Sequence, residues 1–316
     1  MKKTVMLLSL IGMTLAAGIS VQAATEYPLT LENYGRTLTF EKAPEKVVVV
    51  GPNVREVMAA CGLSDLVIGT CNNNSAMIPL PEYEEEYFAM PELTFGDPTI
   101  EAVVGSGADF VYMPYDGLDD TFSLETMAEN GINVYVSSAT NTEDMYRELQ
   151  EVGQIFDIED TMNGYIDEQK ELVESVKAAV AEEEPKTIFC FSMDGGDGTL
   201  YTSGARVLEP ELVSIAGGKH AFADVDAAWA PVSPEEVLAA DPAAIVIHQY
   251  STDETEIENK KERITSDPVL SGLTCVQEEN FIIVQLPDLM PGLRTARYVE
   301  TVAKALHPDC FEETGE

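Results

Sequence analysis

Short, continuous runs of apolar and β-branched residues recur along the chain and predict buried strands. Strands that are covered on both faces read as continuous apolar runs, whereas half-exposed strands alternate apolar with polar residues. The predicted strands lie at 46–50, 66–69, 109–113, 134–136, 187–191, 244–247 and 281–284. Between them the predicted helices lie at about 54–60, 100–104, 122–129, 210–215, 234–239 and 296–306. This alternation is typical of an α/β fold with mostly parallel sheets and helices on both faces.

A long amphipathic segment separates the two halves of this pattern. Apolar residues at Ile158, Met162, Ile166 and Val173 follow the three- and four-residue spacing of one helix face. The spacing predicts a helix from about 159 to 183, on the order of 35 Å long at ~1.5 Å per residue. Pro185 would end it. A rigid rod of this length between two Rossmann-like lobes predicts a cleft that opens and closes only modestly.

The two halves also resemble each other in amino-acid sequence. Residues 98–104 (PTIEAVV) align with residues 232–238 (VSPEEVL), and Thr99 then matches Ser233, while Glu101 matches Glu235. A Thr or Ser two residues before a Glu, ahead of an apolar run, is a helix-start pattern. Chance similarity of capping patterns explains one such pair, but the matching strand order favours two homologous lobes. We expect lobes at 24–157 and 185–316, joined by a linking helix at 158–184.

The N-terminus has the organisation of an export signal. Lys2 and Lys3 precede an apolar run at 5–17, and Val21 and Ala23 are small residues at the positions that a signal peptidase reads. We expect a signal peptide at 1–23, cleaved after Ala23, and a periplasmic or extracellular protein. An uncleaved membrane anchor is the alternative, which the short, interrupted apolar run disfavours. The leader contains no cysteine, so no lipid attachment is expected there.

Charge narrows the possible partners. The chain carries 18 Lys+Arg against 56 Asp+Glu, a formal net charge of −38, and so acidic a surface repels a polyanion. We therefore expect no nucleic-acid partner and no anionic lipid surface as the main partner. With 45% hydrophobic and 23% charged residues, the composition is nevertheless that of a globular protein.

The sequence lacks the motifs of common enzyme sites. It shows no phosphate loop, dinucleotide motif or Ser/His/Asp arrangement, and its five cysteines form no CxxC pair. The cysteines are expected to be small buried residues, although a bridge between Cys61 and Cys71 stays open. Residues 194–198 (DGGDG) do not fit a calcium loop and predict a glycine-rich turn between two strands. We expect a protein that is not an enzyme.

Several segments, taken in order, resemble a known family. They are 34–40 (YGRTLTF), 43–48 (APEKVV), 98–104, 212–218 (LVSIAGG), 229–238, 241–246 (DPAAIV), 291–294 (PGLR) and 303–308 (AKALHP). Together they are similar to the exported substrate-binding proteins of ABC importers for iron–siderophore, corrinoid and haem ligands. The resemblance implies a monomer that delivers a small-molecule metal chelate to a permease dimer with its ATPase. It implies no cofactor, because the metal arrives within the chelate.

The resemblance also assigns a role to the two matched glutamates. In this family a Glu on each lobe docks onto Arg residues of the permease, and these positions fall on Glu101 and Glu235. Exposed carboxylates at helix starts suit a bidentate Arg partner. Completion of capping boxes is the alternative role, and Glu236 is the neighbouring candidate.

The ligand site is expected where the strands of both lobes end, since open α/β sheets bind ligands beyond their carboxyl edges. This places aromatic side chains that suit a large, greasy chelate beside the few bases that offer counter-charge. The expected ligand-binding residues are Asn53, Arg55, Tyr115, Tyr201, Trp229, His248, Tyr250 and Arg294. Loops 72–74 and 114–116 are expected near them, and Arg297 is a weaker candidate.

Each candidate has a structural alternative. Trp229 would cap the core, Tyr115 and Tyr250 would be surface loop residues, and Arg294 would bind helix-end carbonyls. The expected ligand is an iron(III)–siderophore or related metal chelate, with a corrinoid or haem as alternatives. A bare zinc or manganese ion needs a cluster of His and carboxylate ligands, which three scattered histidines disfavour. A chelatase-like enzyme is a further alternative. The low basic content argues against a highly anionic ligand such as a tris-catecholate.

Overall fold

The structure is a computed structural model that describes residues 24–73, 76–115, 118 and 122–311. The predicted leader with its cleavage site lies outside the described residues, and so do Asn74 and Asp116 of the expected cleft loops. Within the described part of the chain, no helix has the length and apolar character needed to cross a membrane.

The first lobe is built on a four-stranded parallel sheet that follows an N-terminal hairpin. Its elements are β1 (Leu29–Asn33), β2 (Arg36–Phe40), β3 (Val47–Val50), α1 (Pro52–Ala60), β4 (Val67–Cys71), α2 (Glu84–Ala89), α3 (Ile100–Ser106), β5 (Phe110–Pro114), α4 (Leu124–Glu129), β6 (Asn133–Ser137) and α5 (Thr142–Ile155). The sheet order is β4-β3-β5-β6. The hairpin turns at Tyr34 and Gly35, whose φ angles of 50° and 71° are those of a tight hairpin turn.

The second lobe repeats this arrangement after a long helix, α6 (Glu159–Ala179). Its elements are β7 (Lys186–Phe191), β8 (Leu200–Ser203), α7 (Glu209–Ile215), β9 (Gly218–His220), β10 (Trp229–Val232), α8 (Pro234–Ala240), β11 (Ala244–Gln249), α9 (Glu254–Thr265), α10 (Thr274–Gln277), β12 (Phe281–Gln285), α11 (Leu286–Leu289) and α12 (Thr295–Leu306). Its parallel sheet has the order β12-β11-β7-β9, and β8 and β10 form a separate antiparallel pair.

The two parallel sheets share one topology. Numbered by their order along the chain within each lobe, the strands run second, first, third, fourth in both sheets. The predicted α/β class with two lobes of parallel sheet is therefore confirmed, and the internal repeat extends to strand order. The exact domain limits at 24–157 and 185–316 stay a prediction.

Alternate residues of each central strand face different parts of the core, as the period of two requires. In β3, Val47 and Val49 pack into a large apolar cluster that also contains residues of α5, α6 and α12, whereas Val48 and Val50 face a second cluster. In β7, Ile188 and Cys190 face the shared cluster, and the phenylalanines beside them face a third cluster. Each sheet is thus covered on both faces, which explains why its strands read as unbroken apolar runs.

The linking helix is shorter than predicted. It comprises 21 residues, ~31 Å at ~1.5 Å per residue, and ends at Ala179 instead of 183. Val180 is the C-cap residue of this helix, and its side chain is buried. The acidic run at 182–184 follows in a turn. Carboxylates near a helix C-terminus oppose the helix dipole, so this run disfavours further helical turns.

All five cysteines are free in the structure. Cys71, Cys190 and Cys275 are buried, while Cys61 and Cys310 are partly exposed. The bridge considered between Cys61 and Cys71 is not formed. The prediction of a glycine-rich turn is confirmed, since residues 194–198 connect β7 to β8 and Asp194 bridges to Leu200.

Candidate ligand-binding cleft

Two hollows that share Trp229 and Met290 lie at the carboxyl ends of the strands, the first between the lobes and the second within the second lobe. The first chamber, of about 40 Å³, is lined by Pro114, Tyr115, Trp229 and residues 137–139, 206–208 and 289–291. The second chamber, of about 200 Å³, is lined by Ser192, Met193, Tyr201, Trp229, Tyr250, Leu286 and Met290. The first draws on the ends of β5 and β6 in one lobe and on loops of the other. The position at the strand ends is the one that the α/β topology predicts.

Trp229 forms part of the wall between the chambers and lines both. It begins β10, where its backbone pairs with Ser203 of β8. Its side chain is half-buried against the core, and its ring lies edge-on to that of His248, with centroids 5.8 Å apart. Trp229 therefore both packs on the core and faces the cleft. Its contact with a ligand stays a prediction.

His248 does not reach the cleft surface. It was expected at the end of a strand closing at Ile247, but β11 runs on to Gln249 and keeps the ring fully buried. The ring lies behind Trp229, with its Nε2 atom 2.8 Å from Oε1 of Glu209. Since the imidazole has no exposed surface and lines neither chamber, direct ligand contact is not supported for His248.

Glu209 is the centre of a buried hydrogen-bond network behind the cleft wall. Its Oε1 accepts from Tyr298 at 2.7 Å and pairs with His248, and its Oε2 accepts from Ser203. Burial would raise the pKa of this carboxyl group, but the charge and hydrogen bond of His248, the charge of His220 and the Ser203 hydroxyl lower it to about 2. The carboxylate is thus held ionised by the groups around it.

The same network contains a group of potential metal ligands. Ligand-type atoms of Cys190, Glu209 and His220 lie within 4.8 Å of one another, all buried. His220 is engaged on both sides, because its Nδ1 accepts from the backbone N–H of Phe222 at 3.0 Å and its Nε2 lies 2.9 Å from the Ser203 hydroxyl. Burial raises the pKa of Cys190 well above its usual value. Because both imidazole nitrogens of His220 already have hydrogen-bond partners within the protein, this group fits a hydrogen-bonded core better than a metal centre.

The tyrosines expected at the cleft lie there. Tyr115 lines the first chamber, and its ring lies 5.8 Å from that of Tyr34 at the tip of the N-terminal hairpin. Tyr201 and Tyr250 line the second chamber. The Tyr250 hydroxyl lies 2.6 Å from that of Ser192. These phenols put polar atoms on otherwise apolar walls.

Tyr34 was not among the expected site residues. Its hairpin is fixed on β6, where the Asn33 side chain donates to the Val136 carbonyl at 2.9 Å and accepts from the Val136 N–H at 2.8 Å. This docking carries Tyr34 to the edge of the cleft with 43% of its surface exposed. A hairpin tip far from the strand ends in sequence gives no local signal of such a position.

The bases expected as counter-charges are buried elsewhere. The Arg55 guanidinium lies 4.3 Å over the Tyr87 ring and donates to the Tyr87 carbonyl at 2.8 Å, beneath α2. Arg294 is only 3% exposed, and its guanidinium contacts Glu56 and Asp288 between the lobes. Neither residue lines a chamber, so direct ligand contact is not supported for either.

Asn53 joins the lobes instead of facing the chambers. Its side-chain amide donates to the Pro291 carbonyl at 2.7 Å, and it is 3% exposed. The bond links the start of α1 to a loop that lines the first chamber. The hydrogen bond fixes this loop, and Asn53 lines neither chamber, so direct ligand contact is not supported for it.

Arg206 was not among the expected site residues. It lines the first chamber from the loop after β8, with its side chain 53% exposed. Asp226 accepts from its Nε at 2.8 Å and from its Nη2 at 3.0 Å. The hydrogen bonds and charge of Asp226 raise the pKa of Arg206. The sequence showed only a loop here.

The two matched glutamates occupy equivalent exposed positions. Glu101 is the second residue of α3, capped by Thr99, and Glu235 is the second residue of α8, capped by Ser233. Both are exposed. The capping box of α8 uses Glu236, which accepts from the Ser233 N–H at 2.7 Å. Completion of a capping box therefore does not account for Glu101 or Glu235.

Comparison with known proteins gives matches over most of the chain. A family described as periplasmic binding protein matches residues 47–285. An uncharacterised ABC transporter substrate-binding lipoprotein of Bacillus subtilis is 23% identical over 300 residues, covering 92% of this chain and 90% of that protein. A vitamin B12-binding protein of Yersinia pestis is 24% identical over 206 residues, 65% of this chain and 70% of that protein.

A solved structure shares the fold. It is described as an ABC-type Fe3+-hydroxamate transport system from Saccharomonospora viridis, with a TM-score of 0.76 and 22% identity over 89% of this chain and 100% of that one. At this identity the likeness concerns the fold alone.

Proposed function

We propose that this chain, which belongs to the periplasmic binding protein family, is the solute-binding component of an ABC importer. It would capture a metal chelate between its lobes and carry it to a membrane permease. Its role is therefore binding for transport and not catalysis. The Bacillus subtilis relative, named as an ABC transporter substrate-binding lipoprotein, supports the assignment to an importer.

The ligand proposed is an iron(III)–siderophore or a related chelate such as a corrinoid or haem. The observation that carries this proposal is the shared apolar and aromatic wall, where Trp229 and Met290 line both chambers. Walls of this kind suit a bulky, greasy body with few polar groups. The name of the vitamin B12-binding relative supports a ligand in this range.

Entry of such a ligand requires movement. The chambers measure about 40 and 200 Å³, whereas pockets for drug-sized ligands are commonly ~300–1,000 Å³. A chelate with a macrocycle or three bidentate arms therefore fits only after the lobes separate or the side chains on the walls move. We expect capture to widen this cleft about the fixed helix α6.

Retention of colour tests the proposal. The purified chain is mixed with ferrichrome, haemin or cyanocobalamin and passed through a desalting column, and we expect at least one chromophore to co-elute with protein at a 1:1 ratio. Quenching of Trp229 emission should titrate with the same affinity. If no chelate is retained and Trp229 emission is unchanged across the panel, the proposal fails.

A bare zinc or manganese ion is the second candidate ligand. The observation that favours it is the buried group of Cys190, Glu209 and His220, whose side chains could hold a metal ion. Its hydrogen bonds are already satisfied inside the protein, and it does not line either chamber. Calorimetry with zinc and manganese chlorides distinguishes the candidates. Tight 1:1 binding that is lost in Cys190→Ser, together with no chelate binding, would favour the bare ion.

Delivery is proposed to use Glu101 and Glu235. Each is exposed at the same position of a short capped helix, one on each lobe. A pair of carboxylates held this way presents two separate docking points to basic residues of a permease dimer.

A further inference from the structure

The two chambers are almost uncharged. Among the described residues that line them, Arg206 carries the only formal charge. The rest of the lining is apolar, aromatic, hydroxyl-bearing or backbone. The chain as a whole has a net charge of −38, so a single cation at the cleft is unlike its general surface.

The backbone around Arg206 is fixed by close contact between two loops. Gly204 donates to the Ala228 carbonyl at 3.0 Å, and Arg206 donates to the Ala227 carbonyl at 3.1 Å. A Cβ atom on Gly204 would lie 2.6 Å from the carbonyl oxygens of Val225 and Ala227, so only glycine permits this approach. The position of Arg206 is therefore set by the loop backbone.

The Arg206 side chain is oriented as well. Asp226 binds it through two parallel hydrogen bonds of 2.8 and 3.0 Å. Both side chains are largely exposed, at 53% for Arg206 and 81% for Asp226, so water screens the pair and another anion can approach the guanidinium. The geometry holds the planar group at the chamber edge without shielding it.

Arg206 lies where the two lobes face each other. It is on a loop of the second lobe and lines the first chamber together with Tyr115, at the end of β5 in the first lobe. Tyr34 then packs against Tyr115 at a ring distance of 5.8 Å. One cation and two phenols from different parts of the chain thus meet at the edge of the apolar chamber.

We propose that Arg206 recognises a peripheral carboxylate or phosphate of the bound chelate while the apolar body of the chelate packs on Trp229 and Met290. A guanidinium forms bidentate hydrogen bonds with either kind of oxyanion, and it does so best beside a low-dielectric wall. The ligand class is then a bulky chelate with one or a few peripheral anionic groups, not a neutral one. Tyr115 is placed to donate to the same anion. This inference rests on the proposed function and narrows its ligand.

Pairs of ligands that differ in the anionic group test this assignment. Haemin and haemin dimethyl ester differ in their carboxylates, and cyanocobalamin and dicyanocobinamide differ in the phosphate-bearing nucleotide loop. For the pair that binds, we expect the wild-type protein to prefer the anionic member by about tenfold or more. Arg206→Gln should weaken binding of that member by a similar factor and leave the other member within about twofold.

A matched control is available in the chain. Arg147 on α5 is 52% exposed and ion-paired to Asp144 and Glu151, much as Arg206 is paired, but it lines neither chamber. Arg147→Gln should leave the preference unchanged. The wild-type preference should also shrink as salt is raised, whereas Arg206→Gln should show little salt dependence.

The outcomes separate this inference from the proposed function. If the wild-type protein binds chelates but Arg206→Gln keeps the preference, or weakens both members equally, the role of Arg206 is wrong and the function stands. If the wild-type protein binds only neutral ferrichrome, the role of Arg206 is likewise wrong and the proposed function stands. If the wild-type protein binds no chelate at all, the proposed function fails and this inference fails with it.

Discussion

The guanidinium of Arg294 meets the carboxylate of Glu56 between the two lobes, with its Nε atom 3.4 Å from Oε1. Asp288 lies on the same nitrogen at 3.1 Å, and Nη2 donates to the Ile78 carbonyl at 2.9 Å. One buried cation therefore forms ion pairs with two buried carboxyl groups. Burial raises the pKa of Glu56 and of Asp288, against the opposing pull of Arg294.

Arg294→Met should destabilise the protein strongly, because it leaves two carboxyl groups buried without their cation. We expect the free energy of unfolding to fall by about 3–5 kcal/mol at pH 7, measured by urea denaturation. Both carboxyl groups already have raised pKa values, so protonation relieves the loss, and the effect should shrink as the pH is lowered.

The control for this prediction is Arg147→Met on the surface, where an exposed pair is worth ~0–1 kcal/mol. Equal losses for Arg294→Met and Arg147→Met would show that the contact between the lobes contributes little to stability.

Replacement of the shared wall should weaken ligand binding. Trp229→Ala removes a ring that lines both chambers, and we expect the Kd of the bound chelate to rise at least tenfold, as is common for a central aromatic contact. Trp229→Phe should lose less, since it keeps an aromatic face. Equilibrium dialysis with a coloured chelate is the measurement, because Trp229 is the only tryptophan in the chain. Unchanged affinity in Trp229→Ala would restrict this residue to packing of the core.

The double variant Glu101→Ala/Glu235→Ala should abolish uptake while leaving chelate affinity nearly unchanged. The reason is that both carboxylates are exposed and away from the chambers. Uptake is measured with the cognate permease in reconstituted vesicles, and affinity by Trp229 quenching. Glu236→Ala is the control, since it removes the capping box of α8 but leaves both docking carboxylates in place. If affinity falls in the double variant, or if Glu236→Ala alone stops uptake, the assignment of the docking pair is wrong.

The buried carboxylate of Glu209 should contribute to acid sensitivity. Its pKa is lowered from the ordinary 4.5 to about 2, so its stabilising contribution is present above 4.5 and is lost as the pH falls towards 2. At full protonation the loss would be about 3–4 kcal/mol, since each pKa unit corresponds to ~1.4 kcal/mol. Comparison of wild-type with Glu209→Gln by denaturation between pH 6 and pH 2.5 separates the contribution of Glu209 to acid sensitivity from those of the other acidic residues. Parallel pH curves for the two proteins would contradict it.

The sequence predicted the central strands well because burial on both faces requires an unbroken run of apolar residues, which is visible locally in the sequence. Val47 to Val50 is an unbroken β-branched run, and each face of that strand packs into a different cluster. The strand β10 was missed because Pro231 interrupts its pattern, and proline is tolerated there only because the strand belongs to a separate two-stranded pair. Helix α5 was missed as well, although Asn141 caps it with a hydrogen bond to Asp144.

The site was predicted less completely because its geometry depends on distant segments. The strand-end rule placed Tyr115, Trp229 and Tyr250 at the cleft. It could not separate Arg294, which is buried under two carboxyl groups, from Arg206, which lines the chamber. That difference arises from contacts of Arg294 with Glu56 and of Arg206 with Asp226, which no local pattern encodes.

The free cysteines bear on how the protein reaches its folded state. Burial raises the pKa of Cys61 to about 12 and that of Cys275 to about 11, so these thiols are almost entirely protonated at neutral pH and react slowly with oxidants. Cys71 and Cys190 are also buried, with raised pKa values. Because all five cysteines are free in the folded structure, folding requires no disulfide formation. The chain should reach the same native state in a reducing cytoplasm or an oxidising compartment, and reducing agents should leave its melting temperature unchanged.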